Sequence, residues 1–137
     1  MSFELFVQGE PNKTANLPRK SDLIRVLDGH VLEDESPRHP VLRVGIDEPG
    51  GSTAIYYDMG DGDPIQSSLM VARPKADLWL WEALMTLLRE YDLFMYWPAA
   101  PPQFVVARDG VPTPDDFPFK FRRIDSTAEL LRLIEES

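Results

Sequence analysis

The stretch Ser67–Pro98, SSLMVARPKADLWLWEALMTLLREYDLFMYWP, decides the fold of this 137-residue chain. Its opening residues, Ser67–Arg73, form a short apolar run that predicts a strand. Pro74 follows, just ahead of a helix, where a proline is tolerated. Over residues 76–91, Leu80, Trp81, Leu84, Leu87, Leu88 and Tyr91 fall on one stripe when projected at about 100° per residue. That spacing predicts a helix with one core-facing side. Leu93–Trp97 is a second apolar run of strand length. Strand, helix and strand in this order predict a crossover within one sheet, its two strands parallel.

Working outward from this unit, Ser2–Gln8, Val41–Asp47 and Thr53–Asp58 upstream read as strands, as do Phe104–Ala107 and Phe119–Ile124 downstream. The turn clusters Glu48–Ser52 and Met59–Pro64 make residues 41–73 an antiparallel meander. A helix near 18–27, capped by Asn16 or Ser21, is closed by Asp28-Gly29. The polar, proline-bounded residues 28–40 read as a loop. Ser126 and Glu129 form an S-x-x-E capping box that opens a last helix near 126–136. The expectation is a single α+β domain over 1–137. Its sheet is mainly antiparallel, of about five to seven strands, with helices near 18–27, 76–91 and 126–136.

Composition limits the chemistry. There are no cysteines, which excludes disulfides, thiolate metal sites and cysteine nucleophiles. No apolar run approaches the ~20 residues that span a bilayer, and the N-terminus shows no secretory pattern, so a cytoplasmic protein is expected. Thirteen prolines imply many sharply ended elements. The net charge of −9 disfavours nucleic acid and anionic membranes and favours solubility or a basic protein partner.

If both the first strand and the strand after helix 76–91 arrive by crossovers, they run parallel to strand 41–47. One end of the sheet then collects loop 28–40, turn 59–66, the 91–93 junction and the chain after residue 107. Glu33, Asp34, Glu35, Asp58, Asp61, Asp63, Asp92 and Asp109 would form an acidic pole there, partly offset by Arg38, Arg108, His30 and His39. The opposite end would gather the glycine- and proline-rich turns.

Motifs for chemistry are weak. Asp58, Asp61 and Asp63 suggest a calcium loop, but position 12 of such a loop would be Leu69 or Ala72, which cannot ligate. His30 and His39 lack metal-site spacing, and Gly51-Ser52-Thr53 lies in a turn rather than at a nucleophile elbow. No cofactor or metal is implied, and an enzyme is the less favoured class. Trp79 projects from the polar side of helix 76–91, with Glu82, Ala83, Thr86 and Glu90. It is either an exposed interface anchor or covered by the N-terminal loop or residues 111–124. Phe117, Phe119 and Phe121 alternate with Lys120 and Arg122, a pattern of an edge strand with the rings inward.

In size and composition the chain is similar to the small, acidic, cysteine-free α+β proteins common in bacteria, some of them immunity proteins that neutralise toxins. That likeness attaches to no particular residue. The leading expectation is a non-enzymatic, immunity- or inhibitor-like interaction module. Its partner-binding residues would be Glu33, Asp34, Glu35, Asp61 and Asp63, with Trp79 as apolar anchor. A homodimer through the Trp79 face is the other partner expectation. The alternative is a small-molecule or anion-binding sensory domain using Gly51, Arg73, Lys75 and Trp97. A hydrolase using paired carboxylates comes third.

Overall fold

The computed structural model describes residues 4–10, 12, 13, 16–36, 38–46, 48–72, 74, 77–99, 101–115 and 117–136. Along the chain they form β1 (Glu4–Gln8), α1 (Lys20–Val26), β2 (Val31–Asp34), β3 (Val41–Gly45), β4 (Ser52–Tyr56), β5 (Ser68–Ala72), α2 (Leu78–Glu90), β6 (Phe94–Trp97), β7 (Gln103–Val106), β8 (Arg122–Arg123) and α3 (Thr127–Glu136). The eight strands make one sheet in the order β2-β3-β4-β5-β1-β6-β7-β8. Every pairing is antiparallel except β7 with β8. The α+β class and the mainly antiparallel sheet are as the sequence implies.

Alternation assigns the two faces of the sheet. Leu42, Ile55, Val71, Leu5, Val7, Met95 and Val105 are opposed in register from strand to strand and are all buried. They share one core with Leu23 and Leu27 of the α1 region, with Leu80, Trp81, Leu84 and Leu88 of α2, and with Leu130 and Leu133 of α3. All three helices therefore cover this face. On the other face Phe6 opposes Met70 and Tyr96, and Tyr96 opposes Phe104. There the segment 117–121 lays its phenylalanines against Phe94 and Phe104.

The β3–β4 turn depends on one glycine. Gly45 has a φ of +121°, and a Cβ there would clash with the Gly51 carbonyl oxygen. Only glycine permits both the dihedral and the approach. Ile46 N–H then donates to that same oxygen at 2.9 Å.

Four expectations need correction. Residues 28–40 contain β2, an eighth strand, which pairs with β3 through a register shift between Val31 and Glu33. With only Val31 and Leu32 apolar, it lacks a strand signal of its own and forms because β3 offers an open edge. The first strand does not run parallel to β3. It lies between β5 and β6, antiparallel to both, so Gly9 and Glu10 join the end that holds turn 59–66. The crossover through α2 is present as expected, joining parallel β5 and β6 with β1 between them. Neither Asn16 nor Ser21 caps α1: the Asp22 carboxylate accepts from Arg19 N–H at 2.9 Å, and Asp63 accepts from Ser21 N–H at 2.8 Å. Finally, the strand anticipated at Phe119–Ile124 shrinks to Arg122–Arg123, because the three rings lie against the sheet face instead of extending its edge.

Ser126 and Glu129 do open α3. Ser126 Oγ accepts from Glu129 N–H at 3.1 Å, while the Glu129 carboxylate reaches back to Asp125 N–H at 3.1 Å. No described helix is long and apolar enough to cross a membrane.

Candidate functional site

The strand directions place the ends of β2 and β4 and the start of β5 at one end of the sheet. A cleft of about 490 Å³ opens there, with Lys20, Ser36, Pro40, Tyr57, Met59 and Asp61 in its wall. Its floor follows from strand alternation. Tyr57 continues the inward series Thr53 and Ile55 and is buried at its ring. A buried tyrosine needs a partner for its hydroxyl, and Tyr57 donates to Asp34 at 2.9 Å. Lys20, at the start of α1, brings its Nζ 2.7 Å from Asp34, 3.1 Å from Ser36 Oγ and 5.1 Å from the Tyr57 ring centroid.

These contacts set the charge states. Burial alone would push the Asp34 carboxyl up. The hydrogen bonds from Lys20, Ser36 N–H and Tyr57 outweigh it and hold the group below the usual carboxylate range. The same Asp34 bond raises Lys20 above the ordinary lysine value. Asp34 is thus a fixed anion matched to a fixed cation, not a group poised to exchange protons near neutrality.

Around the mouth, a second hollow of about 340 Å³ adjoins, lined by Glu33, Asp34, Glu35, Arg38 and His39. The structure therefore brings Glu33, Asp34, Glu35 and Asp61 together. Glu33 pairs with Arg43 across the β2–β3 register at 3.3 Å. Asp63 sits behind the cleft, capping α1 through the Ser21 N–H and hydroxyl, which lower its carboxyl pKa. Asp58 accepts the backbone N–H groups of Ser67 and Ser68 and fixes the start of β5. Glu35, half-buried, and Asp61, exposed, have no side-chain partner among the described residues. Met59, 64% exposed, lines the cleft with Asp61. Asp92 and Asp109 lie at the same end of the sheet, beyond β1, paired with Arg108 and Arg123.

Trp79 is placed apart from the acids. It is half-buried near the start of α2 and stacks on His30, centroids 4.1 Å apart and planes 6° from parallel. His30 precedes β2 and Asp34 ends it, so about four residues of strand, roughly 13 Å, lie between them. Among the described residues, the ring stacked on Trp79 is this imidazole. Ala83, on the same polar side by projection, is also buried, since α2 touches both α1 and α3.

Of the alternative ligand set, Gly51 and Trp97 lie among the described residues. Trp97 is 2% exposed, because its alternation with Met95 turns it toward the helices. Gly51 lies in the β3–β4 turn, while Arg73 and Lys75 lie outside the described residues. Asp58, Asp61 and Asp63 form no ion cage. Among the described residues, no group of three or more histidines and acids is arranged to hold a metal.

Sequence reasoning missed Lys20, Ser36, Tyr57 and Met59. Tyr57 was within reach, since strand alternation alone turns it inward where its hydroxyl must find an acid. Lys20 carried no signal, because it meets Asp34 only through the tertiary fold. Comparison of the chain with family models, with curated proteins and with solved structures finds no match in any of the three.

Proposed function

We propose that the protein is a non-enzymatic interaction module that receives a basic protein partner at this acid-rimmed cleft, in the manner of an immunity protein or inhibitor. The observation that carries the proposal is the division of labour among the acids. Asp34, Asp58 and Asp63 hold the cleft's walls in place, and Glu33 is matched by Arg43. Glu35 and Asp61 remain to meet charge from outside, next to an exposed methionine and two prolines. A small apolar centre inside a charged rim is the anatomy of a protein interface, and methionine adapts to irregular partner surfaces. The chain's charge of −9 steers a cationic partner toward such a rim. The lowered carboxyl of Asp34 agrees with a binding role, since a general acid near neutrality needs the opposite shift.

The test is capture of basic proteins from the source organism by the wild-type protein and by E35Q/D61N, at low and at high salt. A stoichiometric basic partner that is retained by the wild type, weakened by about tenfold in the variant and released by salt supports the assignment. Retention that ignores both salt and the two substitutions refutes it.

A further inference from the structure

On the helix-free face, four aromatic rings from four successive segments form one ladder. Phe6 stacks on Tyr96 at 5.0 Å and 14°, Tyr96 on Phe104 at 5.2 Å and 23°, and Phe104 on Phe119 at 5.2 Å and 16°. The first three are direct cross-strand neighbours, so the spacing of adjacent strands, about 4.8 Å, sets the rung spacing. Phe119 is the last rung. It is 40% exposed and borders a cleft of about 480 Å³ at the edge of β7.

The walls of that cleft differ from the rest of this acidic molecule. Lys120 and Arg122 both line it, neither has an acidic partner among the described residues, and no acid contributes to the lining. The neighbouring Arg123 is by contrast neutralised by Asp109 at 3.1 Å and Asp125 at 3.2 Å. Gln103 also lines the cleft. Its Nε2 donates to the Pro101 carbonyl at 3.2 Å, which turns its own carbonyl oxygen to other use as an acceptor.

We infer that this cleft binds a nucleotide, a planar aromatic ring carrying phosphate. The base continues the ladder on the free side of Phe119, Arg122 and Lys120 meet the phosphate, and Gln103 accepts from an exocyclic amine. An aromatic platform beside cations recognises a base through its π-face and its charge together. The site lies on the opposite face of the sheet from the helices and shares no residue with the acid-rimmed cleft, so it is independent of the partner-binding proposal.

The test is isothermal titration of the full chain at low salt with adenosine 5′-monophosphate, adenosine, inorganic phosphate and a ten-nucleotide oligo-deoxyadenosine. Saturable binding of the monophosphate, with adenosine and phosphate each weaker by about tenfold or more, is the expected result. F119A and K120Q/R122Q should each weaken it by a similar factor while melting close to the wild type. F119L serves if F119A fails to fold. Tighter binding of the monophosphate than of the decamer assigns the site to free nucleotides, and the reverse order to single strands. Absence of saturable binding, phosphate binding as tightly as the monophosphate, or unchanged binding by a folded Phe119 variant would each overturn the inference.

Discussion

Replacing Trp79 by alanine distinguishes a fold-stabilising tryptophan from an interface anchor. A tryptophan side chain offers about 150–250 Å² to burial, and here the ring is half-buried against the core with His30 stacked on one face. Burial of about 100 Å² at ~25 cal/mol per Å² is worth roughly 2.5 kcal/mol. The aromatic stack adds about 0.5–1 kcal/mol. W79A should therefore lose about 3 kcal/mol, which for a domain of this size lowers the melting temperature by about 9–12 °C. The assay is urea unfolding at pH 7, analysed as a two-state transition, with the slope unchanged and the midpoint reduced. H30A removes only the stack, so it should cost about 1 kcal/mol, and the double variant should show a coupling energy near that value. A W79A loss below ~0.5 kcal/mol would refute the reasoning. It would mean that the ring is free in solution and available to a second chain.

Three further outcomes are expected, besides the partner capture and nucleotide titration described above. D34N unpairs Lys20 and weakens the Tyr57 bond, and should cost about 1–3 kcal/mol in the same unfolding assay. Because the folded carboxyl of Asp34 is depressed, its contribution is present above the unfolded aspartate value of ~3.9 and is lost as pH falls through the lower folded value. Lys20 is raised, so its share is present below the ordinary lysine value and is lost as pH rises through the higher folded one. The difference in stability between wild type and D34N should then narrow at both extremes. A difference that stayed constant with pH would contradict the ion pair. G45A should cost about 2–4 kcal/mol through its dihedral and the clash with Gly51. G50A, also at positive φ but with open space around it, should cost only about 1 kcal/mol. Equal losses for the two would show that the close approach at Gly45 does not matter.

What the sequence revealed depended on how local the cause was. The α2 stripe and the flanking strands were legible because Leu80, Leu84, Leu87 and Leu88 recur at helical spacing on their own. The Ser126–Glu129 box was legible for the same reason: four consecutive residues contain the whole interaction. β2 was not, because its four residues owe their conformation to the edge of β3. The direction of β1 was not either, since a lone strand carries no mark of which partners lie on its two sides. In the acid-rimmed cleft, the acids could be listed from the chain, but their roles could not. Whether an aspartate steers a partner or caps a helix depends on what the fold brings opposite it: Lys20 for Asp34, and Ser21 for Asp63. His30 and Trp79 meet through the same kind of long-range closure, 49 positions apart by their numbering. The alternation of Phe117, Phe119 and Phe121 was read as an edge strand, but which surface would receive the rings depended on Phe94 and Phe104, far off in sequence.

The position of β1 has a consequence for how the chain comes into being. β1 precedes the other seven strands along the sequence yet takes an interior place in the sheet, with β5 and β6 as its two neighbours. Phe6 must wait for Met70 and then for Tyr96 before both its edges are paired. At about 5–20 residues per second of synthesis, that is a delay of roughly 5–18 s. Through that interval Leu5, Phe6 and Val7 form an apolar segment with at least one edge unfilled. The β3–β4–β5 meander can close early from contacts near in sequence, whereas the two halves of the sheet are joined only when β1 slots between them. Ribosome-bound fragments ending before residue 94 would then hold a partial sheet with one seam unfilled, a state that a holding chaperone is suited to protect.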